Sequence, residues 1–119
     1  MPGRLTTHVL DLVRGRPAAG VAIDLFRILP DGSRELVTSA RTNANGRTDD
    51  PLMSGDEYQA GWYELVFGVG GYFAASGRAN AEITFLDWVP IRFGISDAEA
   101  HYHVPLLATP WSYSTYRGS

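Results

Sequence analysis

Between residues 5 and 13 the side chains alternate in twos. Leu5, Thr7, Val9 and Asp11 fall on one side of an extended chain, and Thr6, His8, Leu10 and Leu12 fall on the other. An amphipathic helix would need its apolar positions three and four apart, so this pattern specifies a strand with two unlike faces. The same alternation returns in residues 21–29, where Val21, Ile23 and Leu25 oppose Ala22, Asp24 and Phe26. Thirteen Gly and seven Pro cut the chain into segments too short for long helices. Pro30-Asp31-Gly32 is turn chemistry, proline presetting φ and glycine admitting a positive φ, so residues 34–41 should pair back antiparallel. Residues 62–67, 86–95, 100–108 and 111–116 read as further strands, with Pro90 confined to an end, an edge or a bulge. Residues 42–56 are loop chemistry almost throughout, and the small residues of 71–79 predict a short helix. Seven or eight strands with hairpin-like links predict an all-β fold, an antiparallel β-sandwich; a closed barrel with the same strand count fits the same pattern.

At 119 residues the chain is expected to form one domain, residues 1–119, with no cleft between halves. Ten Lys and Arg against thirteen Asp and Glu leave a net charge of −3 and no basic stripe, which argues against a nucleic-acid partner. No cysteine is present, so disulfides, thiolate metal sites and cysteine nucleophiles are excluded together. The first residues carry no apolar run of the length that a secretory signal or membrane span requires, and the cytoplasm is the expected compartment.

Only three histidines occur, two of them in His101-Tyr102-His103. A spacing of two on a strand puts both rings on one face. His103 then shares a face with Pro105 and Leu107, while Tyr102, Val104 and Leu106 turn to the core. His-x-His with a third imidazole could supply three nitrogen ligands to a metal. No His-Glu-x-x-His and no concentrated carboxylate cluster accompanies it, and no metal or cofactor is expected. The serines lack a Gly-x-Ser-x-Gly elbow. Gly68-Val69-Gly70-Gly71 lacks the Lys-Ser/Thr of a phosphate loop, so a structural reading is preferred. Asp49-Asp50-Pro51 reads as a turn rather than an acid pair. Residues 111–119 continue a strand-like run of aromatics and hydroxyls almost to the end, which suggests a docked tail where ends are usually frayed, and an edge strand with no role beyond the sheet fits the same run equally well.

Four stretches together resemble a known family. Leu5-Thr6-Thr7-His8-Val9-Leu10-Asp11 with Gly15-Arg16-Pro17-Ala18, then Gly46-Arg47-Thr48-Asp49, then His101-Tyr102-His103-Val104-Pro105-Leu106-Leu107, and finally Ser112-Tyr113-Ser114-Thr115-Tyr116-Arg117-Gly118-Ser119 look like the transthyretin-related 5-hydroxyisourate hydrolases. The terminal Tyr-Arg-Gly-Ser is the specific part, because transthyretin itself does not end so. The resemblance implies a transthyretin-like sandwich of two four-stranded sheets in Greek-key order, with a short helix after the fifth strand. It also implies a homotetramer, a dimer of dimers, with active sites at the dimer–dimer interface. Carried over by position, His8, Arg47, His103 and Ser119 would be catalytic. His8 and Arg47 would also bind substrate, together with Tyr116, Arg117, Gly118 and Ser119. His101 is not assigned to the catalytic set.

The implied reaction is hydrolysis of 5-hydroxyisourate to 2-oxo-4-hydroxy-4-carboxy-5-ureidoimidazoline in urate breakdown, without cofactor. His8 would activate water and His103 would orient it or return the proton. Arg47 would hold the carbonyl oxygens. Arg117 would bind substrate or fix the tail. A channel that captures an aromatic ligand without turnover is the alternative. Departures at Asp87-Trp88, Ala108-Thr109-Pro110 and Trp111 fall outside these positions. Because His8, His103, Pro105 and Leu107 are expected to face away from the sandwich, a second subunit would be needed to enclose them.

Overall fold

The computed structural model describes residues 3–77 and 82–118. Its strands in chain order are β1 (Leu5–Thr6), β2 (Val9–Asp11), β3 (Arg16–Pro17), β4 (Ala22–Ile28) and β5 (Arg34–Arg41). They continue with β6 (Gly61–Gly68), β7 (Trp88–Ile95), β8 (Tyr102–His103), β9 (Leu106–Ala108) and β10 (Tyr113–Thr115). One α-helix, α1 (Val69–Ala75), follows β6, which is the fifth strand when β1 and β2 are counted as one. No helix among the described residues is long and apolar enough to cross a membrane.

Two four-stranded sheets result, ordered β5-β4-β6-β7 and β10-β9-β2-β3, and a short parallel pair β1-β8 extends the second. The first is a run of antiparallel neighbours, with β4 and β5 joined across Pro30-Asp31-Gly32 as the turn chemistry requires. In the second, β2 runs parallel to β9. Pro90 lies in β7 at the open edge of its sheet, where a missing N–H leaves no orphaned partner.

The alternation of the first segment holds: Leu5, Thr7, Val9 and Asp11 are buried and Thr6, His8 and Leu10 half-buried. The strand is nevertheless broken at Thr7-His8, and the matching strand is broken at Val104-Pro105. The Thr7 hydroxyl donates to the Val104 carbonyl at 2.6 Å, so a side chain takes the place of a backbone donor there. The cross-links continue on either side, with Val104 N–H to Thr6 C=O and Leu106 N–H to His8 C=O. The expected extension to Val13 also fails. The Asp11 carboxylate accepts the N–H groups of Val13 and Arg14, turning the chain and leaving Leu12 and Val13 exposed.

The helix begins two residues earlier than the small-residue run suggested, at Val69, which is buried with Phe73 against the core. Residues 78 and 79 of the expected helix lie outside the described residues. Gly68-Val69-Gly70-Gly71 thus forms the junction of β6 and α1, with the Gly70 N–H held by the Asp87 carbonyl.

Between the sheets lie Leu5, Val9, Ile23, Leu25, Tyr63, Leu65, Phe67, Phe73 and Leu106, all essentially without solvent contact. Leu106 in β9 sits at the centre, fully buried. Leu106→Ala should therefore cost about 3 kcal/mol of stability, lost apolar transfer plus the cavity left behind. Urea unfolding is the check, and a loss under about 1 kcal/mol would place Leu106 outside the tight core.

Candidate active site

The break at Thr7-His8 is where the chemistry gathers. His8 sits between β1 and β2 and forms a backbone bridge with Arg47 of the 42–56 loop. Arg47 is put there by a tight turn. The Asn43 side-chain carbonyl accepts the N–H groups of Asn45 and Arg47, and Gly46 takes a positive φ of 73°. A Cβ at Gly46 would come within 2.6 Å of the Val9 carbonyl oxygen, so only glycine lets the loop lie this close to β2.

Parallel pairing of β1 with β8 sets Thr6 beside His103. The His8 and His103 rings lie with centroids 4.8 Å apart and planes inclined by 29°. His8 Nδ1 and His103 Nε2 share a hydrogen bond of 2.6 Å. The other ring nitrogen of His103, Nδ1, is 2.8 Å from the Thr6 hydroxyl, and that hydroxyl is 2.7 Å from His101 Nε2. The imidazoles are thus spent on one another and on a hydroxyl rather than converging on a point. Among the described residues, no group of three or more His, Cys, Asp or Glu is disposed to hold a metal ion.

The tail closes the other side. β10 pairs with β9, the Thr115 hydroxyl donates to the Pro105 carbonyl, and the Gly118 N–H donates to the His103 carbonyl at 2.7 Å. The Arg117 guanidinium lies 3.9 Å above the centre of the Tyr102 ring, a cation–π contact within the chain. The docked tail expected from residues 111–119 is therefore present as far as Gly118; Ser119 lies outside the described residues. His103 was expected to lie open on the outer face. It is instead only 8% exposed, because the tail of its own chain covers it.

Gly118 shows how close the cover is. A Cβ there would meet the His103 ring at 2.8 Å. Gly118→Ala should push the imidazole off the His8 hydrogen bond and lower kcat by about tenfold or more, misplacement of that size being costly. Thermal melting should stay near the parent value, because both groups lie outside the core. An alanine variant of full activity would show that the ring position is not critical.

An open groove of about 1100 Å³ runs along this face, lined among others by His8, Arg47, His101, His103, Tyr116 and Arg117. Burial, aided by the Arg47 charge, holds His8 below its ordinary value of 6.5. His103 is pushed down further, to about 4, first by burial and then by His8, Arg47 and His101. Both rings are therefore neutral at pH 7, and one of them can accept a proton.

The structure brings His8, Arg47, His103, Tyr116, Arg117 and Gly118 together along one groove. Asp49 and Asp50 belong to a turn, with the Thr48 hydroxyl donating to the Asp50 carbonyl, but they also border the groove. Thr6, outside the set carried over by resemblance, also lines this groove, on the same face as His8 in the alternation. His101, left out of the catalytic set, reaches His103 through that hydroxyl.

The sequence model of the HIUase/Transthyretin family matches residues 5–118. The chain belongs to the HIUase/Transthyretin family. Within that family it is 56% identical over 117 residues to 5-hydroxyisourate hydrolase 2 of Rhizobium meliloti, covering 98% of this chain and 97% of that one. Among solved structures, Klebsiella pneumoniae 5-hydroxyisourate hydrolase superposes with a TM-score of 0.81 at 36% identity, covering 98% of this chain and 99% of that one. A second family-like fold occurs inside (S)-allantoin synthase, with a TM-score of 0.92 at 47% identity over 99% of this chain. The present chain spans only 44% of that protein.

Proposed function

We propose that this chain hydrolyses 5-hydroxyisourate, the substrate named for its relatives, to 2-oxo-4-hydroxy-4-carboxy-5-ureidoimidazoline in urate degradation. The observation that carries the reading is the neutral His8–His103 pair, hydrogen-bonded at 2.6 Å and set in one groove with Arg47. A pocket built only to hold a ligand has no need of coupled imidazoles whose charged forms are disfavoured.

The reaction opens the six-membered ring at its N1–C6 amide. Neutral His8 accepts a proton from water through the nitrogen not bonded to His103, and the water oxygen attacks C6. The planar guanidinium of Arg47 binds carbonyl oxygens of the substrate and favours the oxyanion that forms. The C6–N1 bond then breaks, the proton taken from water is returned to N1, and C6 is left as a carboxylic acid that gives its remaining proton to solvent. His103 orients His8 and shares that proton. Tyr116, Arg117 and Gly118 bound the substrate on the tail side, with Ser119 next in the chain as a further catalytic and binding group.

The working unit in this reading is a homotetramer, a dimer of dimers, in the cytoplasm. Among the described residues each four-stranded sheet keeps two open edges, β5 and β7 in one and β10 and β3 in the other. Exposed Leu12, Val13, Trp111, Tyr113 and Tyr116 leave apolar surface that a second copy would cover. Native mass measured alongside activity across a dilution series should show turnover falling as the tetramer dissociates.

Freshly generated 5-hydroxyisourate decays spontaneously with a change in ultraviolet absorbance, and the protein should accelerate that decay. No acceleration would overturn the assignment and leave a ligand-binding channel as the better reading.

A further inference from the structure

We propose that Thr6 and His101 are positioning residues that complete a proton relay, His8–His103–Thr6–His101, which selects the reactive tautomer of His8 and carries its proton away from the substrate. The proposal rests on the hydrolytic reading above for its kinetics, but the tautomer claim stands apart from it. Three consecutive short hydrogen bonds carry it: 2.6 Å from His8 Nδ1 to His103 Nε2, 2.8 Å from His103 Nδ1 to Thr6 Oγ1, and 2.7 Å from Thr6 Oγ1 to His101 Nε2.

A hydroxyl has one proton, so when Thr6 donates to one imidazole it accepts from the other. A neutral His103 has one N–H, so its two bonds are likewise one donated and one accepted. With the Thr6 proton used within the chain, these two constraints leave two arrangements. In the first, Thr6 donates to His101 Nε2, His103 Nδ1–H donates to Thr6, and His8 Nδ1–H donates to His103 Nε2. His8 Nε2 is then a free lone pair, able to take a proton from water. In the second, every bond points the other way, His8 carries its proton on Nε2, and it cannot act as a base there. The orientation of the Thr6 hydroxyl thus decides the tautomer of a ring two hydrogen bonds away.

The same chain moves charge. When His8 Nε2 accepts a proton, its Nδ1 proton passes to His103 Nε2. The His103 Nδ1 proton passes to Thr6 Oγ1, and the Thr6 hydroxyl proton passes to His101 Nε2. No proton is lost or gained beyond the one taken up. His8 and His103 are then neutral and His101 is the imidazolium, until the relay runs back as His8 Nε2 gives its proton to N1. Around the chain stand Arg47 and Arg4, the Asp49 and Asp50 carboxylates, Tyr116 and Arg117. Burial and Arg47 both disfavour a charged His8 or His103, while His101 lies at the half-exposed end of the chain.

The test uses Thr6→Val, which keeps shape and removes the hydroxyl, Thr6→Ser, which keeps the hydroxyl, and His101→Ala. Thr6→Val should lower kcat by about a hundredfold with KM little changed, and Thr6→Ser should restore it to within a fewfold. His101→Ala should lower kcat similarly and regain activity when free imidazole is added. Nitrogen NMR of histidine-labelled protein should show His8 protonated on Nδ1 at neutral pH in the parent and in Thr6→Ser, and a mixed state in Thr6→Val. Parent-like kcat in Thr6→Val, or an unchanged His8 tautomer in it, would overturn the relay. Should Thr6→Val fail to fold, His101→Ala decides. Loss rescued by imidazole supports the relay, and full activity or unrescued loss refutes it. If the parent shows no turnover at all, the hydrolytic reading fails, and the NMR comparison still tests the chain.

Discussion

Arg47→Glu is expected to lower kcat/KM by about a thousandfold, with circular dichroism and melting temperature close to those of the parent. Arg47 is exposed on the groove and its backbone is placed by Asn43 and Gly46, so the fold does not depend on its side chain. Two losses combine. The fork of donors that would hold the substrate oxygens and the tetrahedral oxyanion disappears. In addition, Arg47 now helps to hold both imidazoles below their ordinary values, and a carboxylate in its place acts in the opposite direction. The neutral base is the active form, so activity is lost as pH falls through the His8 pKa. In the parent that acid limb should lie below 6.5, the ordinary histidine value from which His8 is lowered. In Arg47→Glu it should move to higher pH, and in Arg47→Gln it should move less. A parent-like kcat/KM, or a limb moving to lower pH, would remove Arg47 from the site.

His103→Ala is expected to reduce kcat by about a thousandfold and to leave KM within a fewfold of the parent, since His8 loses the partner that orients it. The variant should also change how stability depends on pH. An unfolded histidine takes up its proton near 6.5, whereas folded His103 does so only at about 4. Between these values the unfolded chain binds more protons than the folded one, so the fold loses stability as pH falls through that window. Without His103 that contribution disappears, and the urea midpoint should fall less steeply with acid. Equal slopes in parent and variant would contradict the depressed pKa, and an unfolded His103→Ala would make the ring structural rather than catalytic.

Much of this was legible in the chain. The alternation of Leu5, Thr7, Val9 and Asp11 named the buried face correctly, and Tyr102, Val104 and Leu106 were rightly turned to the core. Strand ends were less legible. Asp11 ends its strand because its carboxylate captures two backbone N–H groups, a local competition that periodicity does not register. Thr7 and Pro105 interrupt two strands that each read as continuous, because a hydroxyl supplants a backbone donor and a proline has none to give. The burial of His103 could not be read from its face, since the cover comes from Gly118, fifteen positions away in sequence and folded back by the β9–β10 pairing.

Local periodicity decides which face a side chain takes, because the direction of Cβ along a strand is a property of the backbone itself. By itself, therefore, the sequence determined a two-faced all-β chain, its core, and the outward placement of Thr6, His8, His101 and His103. It held no information on register, since any pairing that kept the faces would satisfy the same pattern. The tertiary structure decided that β1 lies parallel to β8 with Thr6 against His103. That one register brings His8 and His103, ninety-five residues apart, to 2.6 Å and threads a threonine hydroxyl between two imidazoles.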